Sequence, residues 1–342
     1  MLHKQGGGWF RRFGAVVCGL LLAATAAACG GTATPSGKAT SMANMASAAA
    51  TTASAAATAQ TTLPGPMSLL DGPRQGNTVD ITLTAEPATI AIADGVTYNA
   101  WTFNGSVPGP VIRVRQGDTV HFTLINKDTM GHSIDFHAAQ VPWDKDYQPV
   151  APGQSETFDW VAEQPGIFMY HCGTGPMIEH IANGMYGAVI VDPATPRPAA
   201  QEYVLVEGEW YAAPDDMTDM MADNPKYVAF NGYANKYKEQ PLTAKPGQLI
   251  RLYVVDAGPN RWLAFHVVGA IFSTVEASGN PANQLHEVQS YTVGPGDAAM
   301  FELTIPNAGT YPFVNHSMAD MMLGAVGLIK VSADAQPQPL AP

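Results

Sequence analysis

Residues Pro152-Gly153-Gln154-Ser155-Glu156-Thr157-Phe158-Asp159-Trp160-Val161-Ala162-Glu163-Gln164-Pro165-Gly166 are answered 143 residues later by Pro295-Gly296-Asp297-Ala298-Ala299-Met300-Phe301-Glu302-Leu303-Thr304-Ile305-Pro306-Asn307-Ala308-Gly309. A Pro-Gly turn, a Phe followed by an acid and a closing Gly keep their spacing in both copies. Asn104-Gly105 returns as Asn231-Gly232, and Phe136-His137 as Phe265-His266. The intervening runs alternate apolar and polar residues with period two, as in Val79-Asp80-Ile81-Thr82-Leu83 and Thr119-Val120-His121-Phe122-Thr123-Leu124. That alternation, broken by Gly and Pro, is the pattern of half-buried strands. The reading is an all-β chain made of one β-sandwich domain duplicated, divided around Pro193 to Gln201. Helical periodicity is confined to a short stretch near Asp216 to Met221.

Composition agrees. Of 342 residues, 33 are Gly and 27 Pro, which favours turn-rich β architecture over a helical bundle. The net charge of −12, with no clustered cations, excludes a nucleic-acid partner. Three cysteines exclude a disulfide framework, and two of them, Cys18 and Cys29, fall in the first 30 residues. Cys172 is left as the one thiol in the folded part, where it is a buried thiol, a nucleophile or a metal thiolate.

The N-terminus carries Lys4, Arg11 and Arg12, then an apolar run from Ala15 to Ala28. Fourteen residues are too few to span a bilayer, which takes about 20. Charge, short apolar core and small residues form a signal peptide, residues 1–28. Ala26-Ala27-Ala28-Cys29-Gly30 resembles a bacterial lipobox, with Cys29 lipidated; unlipidated cleavage at an A-x-A site is the alternative. Arg11-Arg12 raises twin-arginine export, although its flanks match poorly. Residues 29–66, rich in Ala, Thr and Ser, cannot bury enough surface to offset chain entropy and are expected to be a disordered tether. Two domains follow, 67–195 and 196–333, with a flexible tail at 334–342. The expected location is therefore outside the cytoplasm, periplasmic or on the cell surface, with the membrane reached through a lipid anchor only.

The first domain carries His132, Asp135, His137, the adjacent pair His171-Cys172, His180 and Met185. Two imidazoles, a thiolate and a weak thioether compose a blue, type 1 copper centre; zinc would more often recruit several cysteines or a carboxylate. Satisfied core histidines beside a buried thiol are the structural alternative for any one of these residues. Strand alternation divides the set. Successive side chains face opposite sides, so His171 and Cys172 cannot serve one metal. Asp135 and His137 share a face and His132 lies on the other. His132, Cys172, His180 and Met185 therefore gather on one side. Asp135, His137 and His171 gather on the other, where two histidines and no thiolate suit a second, more open copper.

These residues, over 75–332, resemble the copper-containing nitrite reductases. The short gap between Cys172 and His180 is similar to the shorter-loop branch of that family, which includes neisserial outer-membrane lipoproteins. Trp101-Thr-Phe-Asn-Gly-Ser-Val-Pro-Gly-Pro110 is similar to the wider multicopper oxidase superfamily. The resemblance implies two tandem cupredoxin-like Greek-key domains and two coppers per subunit. It assigns His132, Cys172, His180 and Met185 to type 1 copper. It gives His137, His171 and, from an adjacent subunit, His316 to type 2 copper, and hence implies a homotrimer. It makes Asp135 and His266 the acid–base pair and places Val268 in the substrate pocket, where the family often has isoleucine.

The implied activity is one-electron reduction of nitrite to nitric oxide. The electron passes from type 1 to type 2 copper through Cys172-His171, fed by a small redox protein, a cupredoxin or cytochrome c. Reduction of oxygen by a trinuclear cluster is the enzyme alternative, and the absence of any His-x-His motif counts against it. A type 1 electron carrier is the non-enzyme alternative, and it leaves Asp135, His137, His171, His266 and His316 without a task. His121 and His286 have no ligand neighbours by spacing. Met217, Met220, Met221, Met318, Met321 and Met322 are read as packing around a short helix and near a subunit interface.

Overall fold

The computed structural model describes residues 63–340, so the signal segment, Cys29 and nearly all of the tether lie outside the described residues. Alternation drives the architecture. Along Thr78–Ala93, Val79, Ile81 and Leu83 are buried while Asp80 and Thr82 face outward. Along Thr119–Asn126, Val120, Phe122 and Leu124 are buried and His121 is exposed beside Asp159.

Four sheets result. Residues up to 192 supply two. The first has the strand order Leu69–Leu70, Val111–Arg115, Tyr186–Asp192, Gly166–His171, Asp135–Phe136. The second runs Arg74–Gln75, Thr78–Ala93, Thr119–Asn126, Ser155–Val161, with Val96–Phe103 paired to Thr78–Ala93. Residues from 201 onward supply the other two, built around Gln201–Trp210, Leu249–Asp256 and Ala298–Thr304, and around Val326–Val331, Gly309–Asn315 and Leu263–Val267. Each pair encloses its own apolar core, one around Phe122, Phe136 and Trp160, the other around Phe230, Phe265 and Phe301. The all-β, two-domain cupredoxin reading is borne out.

A third core joins the sandwiches. Ile167, Met169, Tyr186 and Ile190 pack with Val204, Val206, Trp210, Tyr253 and Met300. The Tyr186 ring lies directly against the Gly208 backbone there: a Cβ on Gly208 would sit 2.1 Å from the Tyr186 hydroxyl. Only glycine fits that position.

The short helix near Asp216 is present as Met217–Met221, capped by the Asp216 side chain accepting from Asp219 N. Met220 is fully buried against Ala182 and Tyr211, whereas Met221 and Met322 are exposed. Residues 334–340 have no regular structure yet are tied down. Gln338 Oε1 accepts from Tyr203 Oη and Thr243 N, and Leu340 O accepts from Val204 N. No helix among the described residues is long and apolar enough to cross a membrane.

Candidate metal centre

The end of strand Gly166–His171 organises the site. His171 closes the strand, paired with Asp135 across the ladder, and Cys172 continues it by donating its N–H to Met185 O at 3.0 Å. Met185 N in turn donates to His180 O at 3.1 Å. The helix Met177–Ala182 and the turn after it thus bring His180 and Met185 back onto Cys172. His132 lies outside regular strand, in an isolated bridge with Val150. His137 follows Asp135–Phe136 and keeps the ladder going through its N–H to Met169 O.

Two groups of donor atoms could each hold a metal ion, and in each group the atoms lie within 4.8 Å of one another. The first is His132, Cys172 and His180, all buried; Met185 is buried beside them. His132 Nδ1 is 3.3 Å from His180 Nδ1 and 3.8 Å from Cys172 Sγ. Burial lowers the pKa of both histidines, that of His180 to about 4, so both rings are neutral and able to coordinate near pH 7. Burial raises the Cys172 thiol, against hydrogen bonds from Ser133 and Thr174 that favour the thiolate. A cation in this set would complete the shift to thiolate.

The second group is Asp135, His137 and His171. His171 Nδ1 lies 3.0 Å from Cys172 O, and His137 Nδ1 lies 2.8 Å from Gly296 O. Carbonyl oxygens only accept, so both Nδ1 atoms carry hydrogen and both Nε2 lone pairs are left bare. Those two Nε2 atoms face each other at 3.1 Å. Two lone pairs aimed together repel unless a proton or cation lies between them. Burial also lowers the His171 pKa, against the Cys172 carbonyl and with the help of His137. A metal fits this donor set, and the set borders a cleft of about 340 Å³ lined by both sandwiches, including Ile178, Pro259 and Gly296. Asp135 Oδ2 stands 3.8 Å from His171 Nε2.

His316 is not part of that group. It is exposed, its N–H donating to Ala264 O, with its ring 5.6 Å from that of His266. His266 Nδ1 donates to Gln289 O at 2.7 Å, leaving Nε2 free. Val268 is exposed two residues further on. Two contacts were missed in the sequence. Asp128 lies 3.0 Å from His132, a pair signalled only by its four-residue spacing. The link of His137 to Gly296, 159 residues away, had no local signal.

Fold and site together define a two-domain protein of the multicopper oxidase class, and the multicopper oxidase family description matches residues 84–196 and again 201–329. The copper-containing nitrite reductase of Neisseria meningitidis is 38% identical over 275 residues, covering 76% of this chain and 70% of its own length. The structure of the copper nitrite reductase from Nitrosomonas europaea superposes with a TM-score of 0.75 at 45% identity, covering 78% of this chain and 98% of that one. A copper-containing nitrite reductase from Thermus scotoductus gives 0.73 at 32% identity, covering 77% and 64%. The chain belongs to the copper-containing nitrite reductases, oxidoreductases whose cofactor is copper.

Proposed function

We propose that the protein reduces nitrite to nitric oxide at His137 and His171, with electrons entering through the Cys172 set. The observation that carries this reading is the pair of bare Nε2 atoms, 3.1 Å apart, one residue in sequence from the buried thiol. Copper, when bound, supplies a one-electron relay at His132, Cys172, His180 and Met185 and a reducing Lewis acid for the oxyanion at His137 and His171. The Cys172–His171 peptide unit is the covalent link between the two sets. The reaction takes one electron and two protons per nitrite and releases water with nitric oxide. Asp135 and, arriving with His316 from the adjacent subunit, His266 hold and deliver those protons, and Val268 next to His266 shapes the space over the substrate.

His316 completes the open set of an adjacent subunit, which makes the assembly a homotrimer. Two facts support this. His316 is exposed and is not among the donors grouped with His137 and His171 in its own chain, and the exposed apolar side chains of Trp262, Val268, Met318 and Met322 belong to the same region of the chain. Replacing His316 with alanine should therefore lower copper from two to one per subunit and leave the visible spectrum intact. An unchanged copper count sinks the shared-ligand reading.

The division into domains at 67–195 and 196–333, the signal peptide at 1–28, lipidation at Cys29 and the tether that follows belong to the same proposal. They give an exported, lipid-anchored enzyme served by a small cupredoxin or cytochrome c. The deciding experiment is anaerobic turnover with nitrite and an artificial donor, measuring nitric oxide and copper on one sample. Copper-loaded protein that forms no nitric oxide overturns the proposal.

A further inference from the structure

We infer that Asp128 is a positioning residue for His132, fixing which ring nitrogen faces the buried thiol and setting the charge behind it. The inference rests on the reading of the buried set as a copper site.

Asp128 Oδ2 is 3.0 Å from His132 Nε2. Its other oxygen, Oδ1, accepts from Thr129 N and Oγ1. An ionised carboxylate only accepts, so the shared hydrogen resides on Nε2 and the Nδ1 lone pair is bare. Nδ1 is the atom 3.8 Å from Cys172 Sγ and 3.3 Å from His180 Nδ1. Without the carboxylate, the hydrogen could occupy Nδ1 and block coordination. Histidine ligands in metal sites commonly donate their second N–H to such a partner, which fixes ring orientation and raises ligand basicity.

The carboxylate is itself held in place. Asn126, fully buried, accepts from Asp128 N through Oδ1 and donates through Nδ2 to Met130 O and Val150 O. Val150 also bridges His132 in both directions, at 2.7 and 3.3 Å. The loop from Asn126 to His132 is thus a closed hydrogen-bonded unit delivering one carboxylate to one ring. By contrast His137 and His171 both donate to neutral carbonyls, so only the buried set has a charge directly behind a ligand. A negative charge there favours the more positive, oxidised metal and lowers its potential.

The test compares Asp128→Asn, which keeps shape and the Thr129 contact while removing charge, with Asp128→Ala. Copper is titrated into the metal-free protein, and the visible band, the midpoint potential and the copper content of the open set are recorded. In Asp128→Asn, copper affinity at the buried set should fall about 10–100-fold and the potential should move positive, with the open set still filled. Affinity, band and potential all at wild-type values in this variant overturn the inference. So does loss of copper from both sets together with early melting of the metal-free protein, which marks a merely structural role. Should Asp128→Ala fail to fold, Asp128→Asn decides alone. Failure of the underlying reading is separable: it shows as wild-type protein without a thiolate band, or as a Cys172→Ala protein that retains one.

Discussion

The two halves of the molecule close the same turn with opposite chemistry. In the first, Cys172 N donates to Met185 O and Met185 N to His180 O; in the second, Asn315 N donates to Ala325 O and Ala325 N to Asp320 O. The backbone bonds coincide, so Asn315 stands where Cys172 does, Ala325 for Met185 and Asp320 for His180. Ser133 N points at Cys172 Sγ just as Ala264 N points at Asn315 Oδ1. The first half leaves soft donors facing one another. The second satisfies Asn315 and Asp320 with hydrogen bonds: Asn315 also bonds Glu207, Trp262 O and Ser317 N, and Asp320 pairs with Arg261. One cavity of the fold can host a metal or be sealed by hydrogen bonds, and four side chains decide which.

The comparison breaks most visibly at Cys172. Replacing it with alanine should abolish the intense visible absorption and drop turnover to background while copper in the open set remains; colour that survives refutes the contrast. Next comes Asp135, which faces the open set without being needed as a third imidazole. Asp135→Asn should cut nitrite turnover on the order of 10²–10⁴-fold with both coppers retained. Near-wild-type turnover across the pH profile argues against a proton role, and loss of copper from the open set points to a structural one.

The second half is tested at Asn315. Asn315→Cys recreates the thiol but not its partners, so no visible band should appear on adding copper. Leaving Glu207 and three backbone groups without their partner should cost on the order of 2–4 kcal/mol, read from denaturant midpoints. A new thiolate band would mean that the sealed cavity still retains its metal-binding capacity.

The smallest effect concerns ions buried without a metal. Lys236 is 1% exposed, its Nζ within 3.4 Å of Gly65 O, and burial lowers its pKa to about 8. The unfolded chain releases that proton near 10.4, so the buried charge costs stability below pH 8 and the cost fades between 8 and 10. Lys236→Met should stabilise the protein by about 1–3 kcal/mol at pH 7 and by little at pH 10. A gain independent of pH would assign the effect to packing instead.

Period-two alternation made the strands legible, because one face of each strand must be buried, and the recurring Pro-Gly, Phe-acid and Gly landmarks exposed the doubling. Donor chemistry was legible too: one thiol among histidines admits few interpretations, and alternation separates His171 from Cys172 whatever surrounds them. The loops were not. His132 reaches its set from an isolated bridge and Asp128 supports it from a turn, where no periodicity constrains direction.

What this sequence determined by itself is therefore the strand grammar, the pair of sandwiches and the two kinds of ligand, since each depends on local spacing. Register needed the tertiary structure. Phe136-His137 and Phe265-His266 match as letters, yet the ladders pair Asp135 with His171 and His266 with Val314, and so place Asp135 and His266 on equivalent rungs, two residues away from the letter match. The contact from Gly296 to His137 and the core that joins the sandwiches are likewise tertiary. A hydrogen bond across 159 residues depends on how the two sandwiches pack together, and no local pattern in either one encodes that.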